Sequence, residues 1–376
     1  MFGQVPLDIL LLFMLYAAGA TVSAIACIYL LLRRGNAFAP DIVTPVRLRR
    51  WTATFFAFIA LGHFWYLPAA VLTSSEAIRL TMLVGGLLDC ITVFPLALII
   101  LLCMLQDRKR PLWPICVIIA PLVVGMIISI VNRSEALIPI LHIYLLLMGI
   151  GIIIYMVYAV RQYGRWLRDN YADLEHKEVW QSFLVLAVIL LMFGFYVSGV
   201  GGLLYEYIIQ ICGIALICYL LWRVETLSDL SIHAESIPVS EPIEPVEEET
   251  DAPDNIDDIT PLLQHYCINT KLYLQHDLNV TQLAQSIGSN RTYLGQYFAS
   301  QDTTYNEYIN NLRINHFISL YREAVASLRP FSAKQLANDS GFHSYSTFSL
   351  AFKQRMDQSV TAWMRREKIE AGKDGN

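Results

Sequence analysis

Between Pro6 and Trp222 the chain reads as a series of apolar runs of about twenty residues or more, the length an α-helix needs to cross roughly 30 Å of hydrocarbon. Seven spans are expected, at 7–32, 51–73, 78–105, 112–131, 136–160, 180–200 and 203–222, with only a very short "SGVGG" connection between the last two. After Arg223 no run of that length recurs. From Pro261 onward apolar residues instead fall three and four positions apart, the spacing of amphipathic helices that bury one face. The expected fold class is therefore all-α. A seven-helix transmembrane bundle over 1–223 precedes a linker at 224–260 and a soluble helical domain over 261–376 that contains two helix-turn-helix units.

Composition sharpens this division. The chain is 55% hydrophobic and 16% charged, with a mean hydropathy of +0.46, too apolar for an ordinary soluble protein of its length. Charge is unevenly placed: residues 224–260 hold 12 acidic and no basic side chains, whereas 261–376 hold 12 basic and 9 acidic ones. Within the linker, "AESIPVSEPIEPVEEETDAPDNIDD" (234–258) carries four prolines, few aromatics and heavy negative charge, so it is expected to stay extended. Its acid run could lie across a basic DNA-facing surface or serve as a solvated spacer. The seven cysteines form no C-x-x-C pair and read as buried thiols.

Basic residues set the expected orientation. Thirteen Lys and Arg flank one set of span ends, including Arg33, Arg47, Arg108, Arg161 and Arg223, against Arg79 and Arg133 on the other side. Trp51, Trp113, Trp180 and Trp222 fall at the same ends, where an indole half-buries its ring at the headgroup layer. The N-terminus is expected outside and the C-terminal domain in the cytoplasm, in a multi-pass protein of the inner (cytoplasmic) membrane. The first span lacks a basic leader and is too long for a cleaved signal peptide.

Four ionisable residues, His63, Asp89, His142 and Glu206, lie in or at the edge of spans two, three, five and seven. Charge in hydrocarbon is expensive, so such groups face the bundle interior and pair. They make either a polar cavity for a small ligand or proton, or interhelical hydrogen bonds that hold the bundle together. No metal-ligand spacing, nucleophile–base pair or paired carboxylates occur among them, and neither cofactor nor catalysis is expected.

The soluble domain carries a repeated unit. In "LNVTQLAQSIGSNRTYLGQYF" Asn279 stands three residues before Gln282, as in a capping box. Leu283, Ala284 and Ile287 follow at core spacing, and Gly288 permits a sharp turn. Asn290 can then cap a second helix that buries Tyr293, Leu294 and Phe298 while exposing Arg291, Thr292, Gly295 and Gln296. The motif Q-L-A-x-x-x-G returns 53 residues later as Gln335, Leu336, Ala337 and Gly341, with Ser332 as cap and "SYSTFSLAFKQR" as the following helix, burying Phe348 and Phe352. Between the units, Tyr305, Tyr308, Ile309, Leu312, His316 and Leu320 mark one long helix. A helix-turn-helix places the second helix of each unit in the DNA major groove.

Two such units, with "YINNLRIN" between them and "GFHSYSTFSLAFKQR" followed by Trp363 at the end, resemble the AraC/XylS DNA-binding domain over Leu278–Arg366. With the spans ahead of it, the chain resembles the membrane-bound regulators of that family. The resemblance implies an all-helical domain whose two recognition helices enter successive major-groove segments on one face of double-stranded DNA. It places base-edge contacts at Thr292 and Gln296 in the first unit, beside Gly295, and at Ser346, Thr347 and Leu350 in the second. Arg291, Arg313, Lys353 and Arg355 are the phosphate candidates. Two departures stand out: Asp357 and Val360 replace the usual glycine and proline of the closing segment, and Leu350 offers only a methyl contact.

The expected function is a membrane-embedded transcription regulator whose partners are DNA, the bilayer and an unidentified small-molecule or protein signal. A transporter or channel with a helical appendage is the alternative, for which four isolated ionisable residues supply too little of a polar path.

Overall fold

The computed structural model describes residues 6–68, 72–185, 202–230 and 259–373. The described residues are helical, without strands, and fall into two units: Met1–Tyr163 with Val179–Pro238, and Gly164–Glu178 with Val239–Asn376.

The first unit contains α1 (Leu7–Leu32), α2 (Val46–Trp65), α3 (Ser75–Ile91), α4 (Val93–Met104), α5 (Trp113–Val131), most of α6 (Ile138–Asn170) and α7 (Gly202–Glu225). α1 packs on α2 and α7, α2 on α4, and α3 on α5. α3 and α4 form one apolar rod broken at Thr92, because Pro95 lacks the N–H that would bond the Ile91 carbonyl. Among the described residues, five helical stretches are long and apolar enough to cross a membrane: Leu7–Leu32, Ser75–Met104, Trp113–Val131, Ile138–Asn170 and Leu204–Glu225. The expected second span is α2, shifted towards the N-terminus; Arg47, Arg49 and Arg50 in its first turns lower its apolar character. Most of the expected sixth span, from residue 186, lies outside the described residues. Leu31, Val124, Ile143 and Leu204 point outward from their helices, an apolar exterior that water would penalise and lipid would not.

α7 ends at Glu225, whose carboxylate pairs with Arg33 at 2.9 Å and whose carbonyl accepts from Asn36 at 2.7 Å. The next five residues are held too. Asp229 N–H donates to the Val43 carbonyl, and Gln106 bonds both the Ser228 carbonyl and the Leu230 N–H. Residues 231–258, and with them the acidic proline-rich stretch of the expected linker, lie outside the described residues.

In the second unit, a short α8 (Ile259–Leu263), a π-helical turn at Gln264–Asn269 and a 3-10 turn at Leu272–Leu274 lead into α9 (Val280–Ser286) and α10 (Arg291–Ser300). α11 (Tyr305–Ala326) then connects to α12 (Ala333–Asp339), α13 (Tyr345–Met356) and α14 (Val360–Lys373). There are two cores. Leu263, Cys267, Leu283, Ala284, Leu294, Phe298, Tyr305 and Ile309 form the first. Ile314, Phe317, Tyr321, Leu336, Phe348, Phe352 and Trp363 form the second. α11 supplies both, its N-terminal half to one and its C-terminal half to the other. This is why the buried stripe over 305–320 departs from the expected one: Ile314 and Phe317 are buried, whereas His316 and Leu320 are half-buried.

Candidate nucleic-acid interface

Each pair α9–α10 and α12–α13 is built by the same local chemistry. Asn279 accepts from the Gln282 N–H at 3.0 Å while the Gln282 side chain accepts from the Asn279 N–H at 3.0 Å, closing a capping box. Ser332 caps α12 through the Gln335 N–H at 3.1 Å. Gly288 (φ +68°) and Gly341 (φ +91°) turn the chain between the helices in the left-handed region that L-residues avoid. The second helices are capped by Asn290, accepting from the Tyr293 N–H at 3.0 Å, and by Ser344, accepting from the Thr347 N–H at 3.2 Å.

These caps fix which side chains face out. On α10, Leu294, Tyr297 and Phe298 are buried and Tyr293 is half-buried, leaving Arg291, Thr292, Gly295 and Gln296 on the exposed side. On α13, Phe348 and Phe352 fill the core, and Ser346, Leu350 and Lys353 are exposed at the spacing of successive turns, with Thr347 half-buried beside them. Leu350 is 61% exposed, a large apolar group on an otherwise polar face. α13 ends on Asp357, which adopts the left-handed conformation (φ 54°) where glycine is the less strained occupant.

Two phosphate candidates bond within the domain, and burial withdraws one of them, Arg313, from DNA. Arg313 is fully buried and donates to the carbonyls of Tyr273 and Gln275, each at 2.7 Å, and of His276 at 3.4 Å. Burial lowers its pKa, partly offset by Tyr305 and Asp173 nearby. A guanidinium so enclosed cannot reach a phosphate; the sequence pattern missed this because arginine is so often a surface residue. Arg355 donates to the Asn311 carbonyl and, at 2.7 Å, to Asn315 Oδ1, fastening α13 to α11.

The exposed face has neighbours that residue spacing did not reveal. The stretch Gly164–Glu178, which follows the fifth expected span, belongs to this unit. Tyr171 makes an antiparallel bridge with Asn279, and Ala172 is fully buried in the first core. Asn306 donates to the carbonyls of Tyr171 and Ala172 at 3.1 and 2.7 Å, and Asn310 to Ala172 at 3.2 Å. Burial pushes the Tyr171 phenol up, opposed by the positive charge of Arg291. A signal for this site existed in the sequence: Asn306 and Asn310 stand one turn apart inside a helix whose other faces are packed, where asparagine needs a partner.

Among the ionisable residues of the apolar helices, Asp89 accepts from the Tyr66 hydroxyl at 2.5 Å, with Tyr66 packed on Gly85. His63 Nδ1 lies 2.7 Å from the Ile59 carbonyl, and its ring meets Tyr16 edge-on. Tyr16 feels the charges of Glu206 and Asp89, so His63, Asp89 and Glu206 belong to one polar neighbourhood. His142 is exposed on α6. No group of three or more His, Cys, Asp or Glu among the described residues could hold a metal.

Comparison with known proteins agrees with this geometry. Residues 271–366, spanning α9 to α14 and the turn before them, match a family model described as a helix-turn-helix domain. No curated protein and no solved structure matches the chain. The fold and the paired capped units define a DNA-binding regulator. Its C-terminal domain is an AraC-type helix-turn-helix domain, and the helices ahead of it are apolar enough to be membrane spans.

Proposed function

We propose that this protein is a membrane-embedded transcription regulator that carries an external or intramembrane signal to sequence-specific DNA binding in the cytoplasm. The observation behind this reading is the joining, in one chain, of two capped helix-turn-helix units to helical stretches of membrane-crossing length, five of them among the described residues. The excess of Lys and Arg at one set of span ends, shared by four tryptophans, supports an outside N-terminus and a cytoplasmic C-terminal domain.

In this reading α10 and α13 present Thr292, Gln296, Ser346, Thr347 and Leu350 to base edges, and Arg291 and Lys353 hold phosphates. Hydroxyl and carboxamide groups can donate and accept, so they read either partner of a base pair; Leu350 suits a thymine methyl. The polar neighbourhood of His63, Asp89 and Glu206 is the candidate input site, where a ligand or proton would change helix packing. No cofactor is needed for any of these steps.

The test is binding of duplex DNA by the purified full-length protein. Arg291→Ala and Lys353→Ala should weaken all sequences alike and flatten the salt dependence by about one phosphate each, whereas Gln296→Ala should relax the choice of sequence. The domain's small positive charge predicts a slope of log affinity against log salt of only about −4. Absence of any DNA binding at about 50 mM salt would overturn the proposal. A reporter fused after Asn376 tests the topology; activity only on export reverses it.

A further inference from the structure

One corner of the face assigned above to DNA already bonds another part of the same chain. Thr347 Oγ1 donates towards Glu175 Oε2 at 3.1 Å, with Asp173 Oδ1 at 3.4 Å, and Ser346 Oγ lies 3.5 Å from Glu175 Oε1. Asp173 is itself buried, and its carboxylate accepts from the Glu175 N–H at 3.0 Å. At the other reading head, Arg291 lies within electrostatic reach of Asp169 and Tyr171. The backbone between these anchors is clasped by Asn306 and Asn310 and by the bridge from Tyr171 to Asn279. One short stretch, Asp169–Glu175, thus engages residues of both heads and the helix that joins them.

We propose that Asp169–Glu175 is an intrachain competitor of DNA, its carboxylates taking hydrogen-bond donors of α13 that a duplex would use. The inference rests on the DNA-binding reading of α10 and α13. The physical conflict is direct. A serine or threonine hydroxyl has one proton, so Thr347 cannot donate to Glu175 and to a base edge together. Carboxylate and phosphate also repel when both approach Arg291. Binding of DNA therefore requires the stretch to leave, and its departure exposes Ala172, together with the pocket that held it. The stretch is the direct continuation of α6, the helix that begins at Ile138, so whatever moves α6 acts on the competitor through the covalent chain. The acidic run of 234–258, which composition nominated for a similar part, is not needed for it.

The experiment measures the affinity of the full-length protein in lipid nanodiscs for a fluorescent duplex at low salt. It compares wild type with Glu175→Gln and with Asp173→Asn/Glu175→Gln. Charge-assisted hydrogen bonds are the stronger kind, so their loss should tighten DNA binding by about tenfold in the double variant and less in the single one. Hydrogen exchange supplies a second readout on the unmodified protein: saturating duplex should speed exchange of the amides of 171–175. Glu175 is half-buried whereas Asp173 is buried, so the single variant keeps the test meaningful if Asp173 proves necessary for folding. Equal affinities in folded variants, with exchange at 171–175 unchanged by duplex, would overturn the competitor while leaving DNA binding intact. Weaker binding by Glu175→Gln would overturn it too, by making the stretch a support for the reading head. If no variant binds duplex at all, the underlying functional reading falls first, and this inference with it.

Discussion

Gly288 and Gly341 occupy the same place in the two helix-turn-helix units, yet alanine should affect them unequally. Both have positive φ, which costs an L-residue about 1–2 kcal/mol. At Gly288 an added Cβ meets no atom within 4 Å, so the backbone term is the whole cost. At Gly341 the same Cβ would stand 2.8 Å from the Leu274 Cα and 2.9 Å from the Leu274 carbonyl oxygen. Those are main-chain atoms of the turn Leu272–Leu274, and no rotamer change relieves them. Forced overpacking adds about 1–3 kcal/mol, giving roughly 2–5 kcal/mol for Gly341→Ala against 1–2 for Gly288→Ala. Urea unfolding of the full-length protein in detergent reads the difference, with hydrogen exchange of the amides of α9 to α13 as signal. With a urea dependence of about 1.5 kcal/mol per molar, the midpoint should fall by about 1 M for Gly288→Ala and by about 1.3–3.3 M for Gly341→Ala. Equal losses at the two sites, or the larger one at Gly288, would refute the steric argument and the placement of the Leu272–Leu274 turn.

Two further outcomes follow from the same unit. Arg313→Met should destabilise the domain by about 3–5 kcal/mol, since it strands buried carbonyls and the neighbouring Asp173, and should leave the salt dependence of DNA binding unchanged; a flatter slope at undiminished stability would return Arg313 to the phosphates. Burial pushes the Cys267 thiol up to about 11 from 9.0, so at pH 8 only about one molecule in a thousand carries the thiolate, and site-resolved alkylation should proceed only through unfolding. Because the folded pKa is the higher one, the stability due to this thiol is complete below pH 9 and declines as pH rises towards 11; Cys267→Ala should remove that part of the alkaline decline, seen as a change in urea midpoint.

Much of the domain could be read from the sequence because its signals are local. Asn279 with Gln282, Ser332 with Gln335 and the two turn glycines act within four residues, and each makes the expected contact or conformation. Five of the seven expected spans are equally legible among the described residues, since length and hydropathy need no partner to be recognised. What escaped depends on contacts between distant positions. Arg313 reads as surface charge in the sequence, but the carbonyls of Tyr273 and Gln275, some forty residues away, enclose it. The stripe on α11 was misjudged at Phe317 because periodicity assumes one buried face, and this helix has two. Asp173 and Glu175 carried no motif; their meaning comes only from Ser346 and Thr347, about 170 positions on.

The double burial of α11 has a consequence for how such a domain can change over time. Tyr305 and Ile309 anchor one half, and Ile314, Phe317 and Tyr321 the other, so neither half can melt without baring part of the same rod. The two heads then denature as a single cooperative block. A head may lose its say in choosing sequence, as Leu350 suggests for the second, and still be retained as the counterweight that keeps the first one folded.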